Sequence, residues 1–288
     1  MTDRTSPAVR PSGPDGGGAP VPEPLRRDVE PFSKHVEKTI HRILYRLLPL
    51  EGYLRAVSRL FFLFRRLGIG RRSPATEYVY HLPELVREGD VCIDIGANLG
   101  YYARPLAELA GPSGRVYAVE PVPVIGRVLR RNLRGCRNVE ILPYALGEEN
   151  RRIRMSNDSA RTTGYFGTGQ NYVDESGAEA CVSFDAEMRR GSELFAGLTR
   201  LDFVKCDIEG YELHVMRELR PLLERFRPTV LIETGGDNRP QIVALFREMG
   251  YAGYTLDGGR RVPLAPACGK DIVFVAEPRP APGGSGRP

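Results

Sequence analysis

The 288-residue chain has no tryptophan and only four lysines, Lys34, Lys38, Lys205 and Lys270, against 37 arginines. A skew this general suits the coding bias of a GC-rich genome better than a device for gripping anions. Cysteine is also sparse. Cys92, Cys136, Cys181, Cys206 and Cys268 are odd in number, far apart and never in C-x-x-C spacing. That pattern argues against a zinc site or a disulfide framework and suits a reducing compartment. No apolar run could span a bilayer: the longest, Leu54–Leu67, is broken by Arg55, Arg59, Arg65 and Arg66. Residues 1–24 are rich in Pro and Gly and lack the apolar region of a signal peptide, so a cytoplasmic location is expected.

A composition of 41% hydrophobic and 27% charged residues fits an ordinary globular protein with a sizeable core. The net charge of +5 is unevenly spread. Residues 1–76 hold 14 Lys and Arg against 7 Asp and Glu, and the rest holds 27 against 29. An enzyme acting on nucleic acid concentrates positive charge around its cleft, so a nucleic-acid partner is not expected. Four segments follow: a disordered Pro/Gly-rich tail (1–31), a basic amphipathic helical extension (32–72), a catalytic domain (73–277) and a second disordered tail (278–288).

In the extension, Val36, Ile40, Ile43, Leu44, Leu47 and Leu48 recur at helical spacing. After Pro49 and Gly52 a second stripe runs through Leu54, Val57, Leu60, Phe61, Phe64 and Leu67. Such helices could pack on the body, act as a lid, form a homodimer contact or lie on an anionic membrane surface. Ser73-Pro74 has the signature of an N-cap and first helical position. Beyond it, apolar runs at Val91–Ile95, Val116–Val119, Val139–Leu142, Leu201–Cys206, Thr229–Ile232 and Ile272–Val275 alternate with helical stretches. The best of these are Val122–Leu133, Glu212–Phe226 and Pro240–Met249. This alternation predicts a doubly wound α/β sheet whose ligands bind beyond the carboxyl ends of the strands. Arg151–Met155 and Ala180–Phe184 bracket a Gly/Ser/Thr/Asn-rich loop, which predicts an inserted hairpin or flap.

The chemistry is expected just after the strands. Val91–Gly100 is a strand ending in Asp94, then a turn with Gly96 and Gly100, then a helix start. The spacing is G-x-x-x-G, with Asn98 where the dinucleotide fingerprint has its middle glycine. An asparagine crowds a pyrophosphate but can hydrogen-bond an amino-acid carboxylate. The second strand ends at Glu120, 26 residues after Asp94, where an acid can accept both ribose hydroxyls of a nucleoside. Ala145 and Leu146, after the third strand, could flank an adenine. Asp207 and Glu209 follow the fourth strand in Phe203–Leu213, placed to hold an amino group, bind a divalent cation or act as a base. His214, one turn further on, is a further candidate base because its pKa is tunable. Glu233 ends the fifth strand.

Taken together, these residues resemble the FkbM family of class I S-adenosylmethionine-dependent methyltransferases. The resemblance spans roughly Tyr78 to Val275. It rests on DIGANLG (94–100), VEP (119–121) with YALGE (144–148), and above all KCDIEGYEL (205–213); VSFDAEM (182–188) adds weaker support. It implies a Rossmann-like sheet of seven strands, one of them antiparallel, with Ile272–Val275 the candidate for that strand. It also implies methyl transfer, commonly to a hydroxyl of a polyketide, sugar or similar metabolite. By the same resemblance Asp94, Gly96, Ala97, Asn98, Gly100 and Tyr101 surround the methionine part of the cofactor. Glu120 and Pro121 hold the ribose, and Ala145 and Leu146 lie beside the adenine. Asp207 is shared between cofactor and catalysis. Asp207, Glu209 or His214 would accept the acceptor's proton. Asp207 and Glu233 occupy strand ends comparable to those binding metal in catechol-type O-methyltransferases, which makes Mg²⁺ a candidate second cofactor. Pro105, soon after the glycine turn, predicts a late or kinked first helix.

Overall fold

The computed structural model describes residues 32–176, 179–265 and 268–278. The expected disordered tails, Pro278 apart, lie outside the described residues. The N-terminal stripes form α1 (Phe32–Leu47) and α2 (Leu50–Arg66), followed by the short α3 (Glu77–His81). Then come β1 (Val91–Ile95), α4 (Ala103–Ala110), β2 (Arg115–Val119), α5 (Pro123–Asn132) and β3 (Val139–Leu142). An inserted unit supplies β4 (Tyr144–Leu146), β5 (Arg151–Asn157), α6 (Ser159–Thr163), β6 (Tyr172–Val173) and β7 (Val182–Arg189), and the single turn α7 (Gly191–Leu194) closes it. The main sheet resumes with β8 (Phe203–Cys206), α8 (Glu212–Glu218), α9 (Arg220–Phe226), β9 (Thr229–Glu233) and α10 (Asn238–Glu248). It ends with β10 (Tyr251–Asp257), β11 (Arg260–Pro263) and β12 (Asp271–Ala276).

The main sheet runs β11-β10-β12-β9-β8-β1-β2-β3. Pairing is parallel from β3 through β2, β1 and β8 to β9. β12 then inserts antiparallel between β9 and β10. The doubly wound Rossmann-like architecture is therefore present, with Asp271–Ala276 as the antiparallel strand expected there. An eighth strand, β11, extends the edge as a hairpin with β10. Helices cover both faces, which is why the central β8 is buried at every position. The strand order reverses at β1, between β2 and β8, so the crevice opens at the ends of these three strands.

Three local expectations are corrected. Ser73-Pro74 does not start a helix: the Ser73 carbonyl accepts the amides of Thr76 (2.9 Å) and Glu77 (2.8 Å) in a turn, and α3 begins at Glu77. The helix expected over Glu212–Phe226 is two, because Pro221 lacks the N–H that would continue α8. The insertion is more than a hairpin. β5 and β7 pair antiparallel along Arg151–Asn157, and β4 and β6 complete a four-stranded sheet. Pro105 falls in the first turn of α4, which starts at Ala103, where the missing N–H costs little.

The inner face of α2 buries Tyr53, Leu54 and Val57 in one cluster with Ile125 and Val128 of α5, Met155 of β5 and Phe166. Tyr53 donates its hydroxyl to the Phe166 carbonyl (2.9 Å) and meets His41 Nδ1 at 2.7 Å. Arg42 donates to the Thr163 carbonyl (2.8 Å). The extension thus braces the inserted unit against the main sheet.

Candidate active site

The turn after β1 is shaped by its neighbours. Gly96 has φ +77°, and a Cβ there would run into the backbone carbonyl of Asp207 at the end of β8. The amides of Gly96 and Ala97 donate to the Val119 carbonyl (3.0 and 2.9 Å), tying the turn to the end of β2. Asn98 also adopts a left-handed conformation, φ +51°. Its amide donates to Glu120 Oε2 (2.9 Å), while the Val122 amide donates to Oε1 (2.8 Å). Glu120 therefore faces the glycine turn and buckles two loops together. Burial pushes its carboxyl up to about 7, against the pull of those two amides.

These groups line one cleft that encloses about 790 Å³ of empty space, open solvent included. Gly96, Ala97, Asn98, Tyr101, Glu120, Pro121, Ala145, Leu146, Asp207 and Glu209 all contribute to its wall. The inserted unit roofs it with Met155, Thr168, Gly169, Asn171 and Val173. Asn98 Nδ2 donates to Thr168 Oγ1 (3.3 Å), but its Oδ1 is buried with no hydrogen-bond partner among the described residues. An unmet acceptor beside a carboxylate suits a ligand bearing ammonium and hydroxyl donors.

Three expected residues sit elsewhere. Asp94 is fully buried beneath the turn rather than on the cleft wall. Gly100 (φ +90°) turns away from the cleft, and a Cβ there would meet Leu129 of α5 at 3.1 Å. His214 is exposed on α8, stacked on Tyr211 at 4.6 Å and 3.3 Å from Glu148 Oε2, so it is poorly placed to take a proton in the cleft.

Lys205, one of the four lysines, was not singled out as a site residue from the sequence. Its side chain rises from buried β8, with Nζ 3.1 Å from Asp207 Oδ2, 3.8 Å from Asp94 Oδ1 and 4.9 Å from the Tyr102 ring centre. Burial disfavours its charge, but Asp207 and Asp94 outweigh that and hold it protonated. Asp94 is pushed up to about 6, first by burial, with Lys205 opposing. For Asp207 burial is again the largest influence, yet Lys205 and a hydrogen bond from Glu233 bring it below the usual range. Glu233 is raised by burial and by that shared hydrogen bond. Glu209 differs: the residue is exposed overall, yet partial burial of its carboxyl, then the charge of Asp207, push it up to about 7.

Carboxylate oxygens of Asp207, Glu209 and Glu233 lie within 4.8 Å of one another, hard donors of the kind Mg²⁺ takes. However, Lys205 stands 3.1 Å from Asp207, and Lys270 stands 3.6 Å from Glu233. Burial and the neighbouring Asp207 also raise Glu233 toward its neutral form. The donor set fits a lysine-neutralised acid cluster rather than a metal centre.

A doubly wound sheet with a glycine turn, an acid ending the second strand and a roofed cleft at the switch point is a Rossmann-like architecture of the nucleoside-binding kind. The model of the Methyltransferase FkbM domain matches residues 94–254, more than half of the chain. The chain belongs to the FkbM family of class I S-adenosylmethionine-dependent methyltransferases. Methyltransferase sdnD of Sordaria araneosa is 26% identical over 211 residues, covering 61% of this chain and 78% of that protein. A protein-L-isoaspartate O-methyltransferase of Methanothrix thermoacetophila is 40% identical over 73 residues, covering 25% of this chain and 35% of that protein. The chain thus spans only about a third of the length of such relatives. Among solved structures, an FkbM methyltransferase of Methylobacillus flagellatus is 15% identical, with TM-score 0.44 over 84% of this chain and 60% of that one. Among the described residues, no helix is long and apolar enough to cross a membrane.

Proposed function

We propose that the enzyme methylates a hydroxyl on a small molecule, such as a polyketide or sugar, with Glu209 as the general base. The observation that carries this reading is a Glu209 carboxyl in the same roofed cleft as Gly96 and Glu120, with its proton affinity raised to about 7. A base is most effective near the operating pH, and the ordinary carboxylate range is too low for that.

Bound S-adenosylmethionine supplies a methyl group already activated on a sulfonium. Each oxygen of Glu120 accepts one backbone amide, which leaves lone pairs for two ribose hydroxyls. Asn98 Oδ1 would accept from the amino group, and Ala145 and Leu146 would flank the adenine. Lys205 keeps Asp207 ionised and fixed. Glu209 would take the proton from the acceptor oxygen as it attacks, while the roof excludes water and holds the reacting groups in line.

A second reading, transfer to a protein, draws support from the short matches to protein-L-isoaspartate O-methyltransferases. Incubating the enzyme with methyl-labelled cofactor and host extract, split into metabolite and protein fractions, separates the two. Label in metabolites is expected. Label confined to protein would contradict the proposal and favour the second reading.

A further inference from the structure

The N-terminal helices bury one face and leave another apolar face in water. On α2 and the turn beyond it, Leu63 (50% exposed), Phe64 (45%), Leu67 (63%) and Ile69 (53%) form that face. Leu63 and Leu67 lie one turn apart, on a side of the helix turned away from the buried Leu54 and Val57. On α1 the same design repeats: Ile40, Ile43 and Leu47, at 41%, 52% and 73% exposure, share one stripe. Apolar side chains grouped in this way on a surface mark an interaction site.

Charge identifies the partner. Exposed Arg59 and Arg66 border the α2 stripe, exposed Arg46 borders that of α1, and Arg71 and Arg72 follow Ile69. Among the side chains described from Lys38 to Arg72, the only acid is Glu51, already engaged by Arg55 and Arg127. A second copy docking face to face would set these arginines against their own equivalents, and the acids beside them, Glu51 and Glu108, are already engaged by Arg55, Arg127 and Arg65. A lid function is also unsuited to this face, because the helices already hold the body and the roof through their opposite side. Aliphatic residues flanked by arginines match a bilayer interface carrying negative headgroups.

We propose that this face docks the enzyme on an anionic membrane surface, with Leu63, Phe64, Leu67 and Ile69 entering the headgroup layer and the arginines pairing with lipid phosphates. The association is peripheral and reversible.

Co-sedimentation of the full chain with vesicles tests it. Phosphatidylcholine mixed with phosphatidylglycerol should pellet the protein, phosphatidylcholine alone should not, and high salt should release it. The pair Leu63→Ser and Leu67→Ser should weaken binding about tenfold or more, since each leucine removed from water accounts for roughly that factor. The pair Arg59→Gln and Arg66→Gln should weaken it on the mixed vesicles, and both variants should keep the parent's circular dichroism and turnover in solution. The proposal is overturned if the mixed vesicles fail to pellet the protein, or if both variants pellet as well as the parent. Sedimentation velocity showing a dimer that the leucine variant dissolves would assign the face to a second copy and would equally overturn it.

Discussion

Asp207 and Glu209 stand two residues apart, yet their carboxyls move in opposite directions. Lys205, 3.1 Å from Asp207, outweighs burial there, whereas burial and the Asp207 charge raise Glu209 to about 7. On the proposed mechanism, this environment separates an ionised positioning acid, Asp207, from the proton acceptor, Glu209. Replacing Glu209 with Gln should cut kcat by about 100-fold or more while leaving cofactor affinity nearly intact. Unchanged turnover would remove Glu209 from the mechanism. Because the unprotonated form of a raised acid accumulates as pH climbs, kcat/KM should rise through about pH 7 and then level. A flat profile between about pH 6 and pH 8 would contradict the role. Lys205→Met would leave Asp94 and Asp207 without their counter-charge, and a loss of about 3–5 kcal/mol in chemical denaturation is expected. Stability equal to the parent would show that the acids need no lysine. The acids were legible in sequence because each ends an apolar run. Lys205 was not, because a single charge inside such a run shows no periodicity, and only the sheet brings Asp94 beside it. His214 misled for the converse reason: a base five residues beyond Glu209, just past the same phrase, is turned outward by the helix.

At the scale of elements, one buried hydroxyl is among the ties that hold the roof over the cleft. Tyr53 on α2 holds the carbonyl of Phe166, and both side chains are fully buried. Tyr53→Phe would orphan that carbonyl at a cost of about 1–3 kcal/mol, loosening the roof rather than the glycine turn. The expected signature is a raised KM for the acceptor with cofactor affinity unchanged, measured by steady-state kinetics and calorimetry. Equal losses in both would place the roof's role elsewhere. The strands that build this unit were visible in part, since Arg151–Met155 and Ala180–Phe184 frame a loop of turn-forming residues. Their assembly with β4 and β6 was not, and neither was the tie to α2. Contacts between residues 113 positions apart leave no local pattern. The turn at Ser73-Pro74 shows the same limit at short range, because a cap signature forms a helix only where the next residues have a surface to pack on.

For the whole molecule, the alternation of apolar runs was enough to indicate a doubly wound sheet and the end at which ligands gather. It missed β10 and β11, whose side chains are not grouped into clear runs. The acid cluster at the carboxyl ends of β8 and β9 is charge-balanced by Lys205 and Lys270, so turnover should survive exhaustive treatment with EDTA. Activity lost to EDTA and restored by Mg²⁺ would overturn that balance. The central claim is that the turn after β1 and the carboxylate of Glu120 together receive the adenosyl cofactor. Titration calorimetry of the folded protein with S-adenosylhomocysteine tests it most directly. Saturable binding to a single site is predicted, abolished or greatly weakened by Glu120→Ala, and no uptake, or unimpaired uptake by that variant in its folded form, would contradict the account.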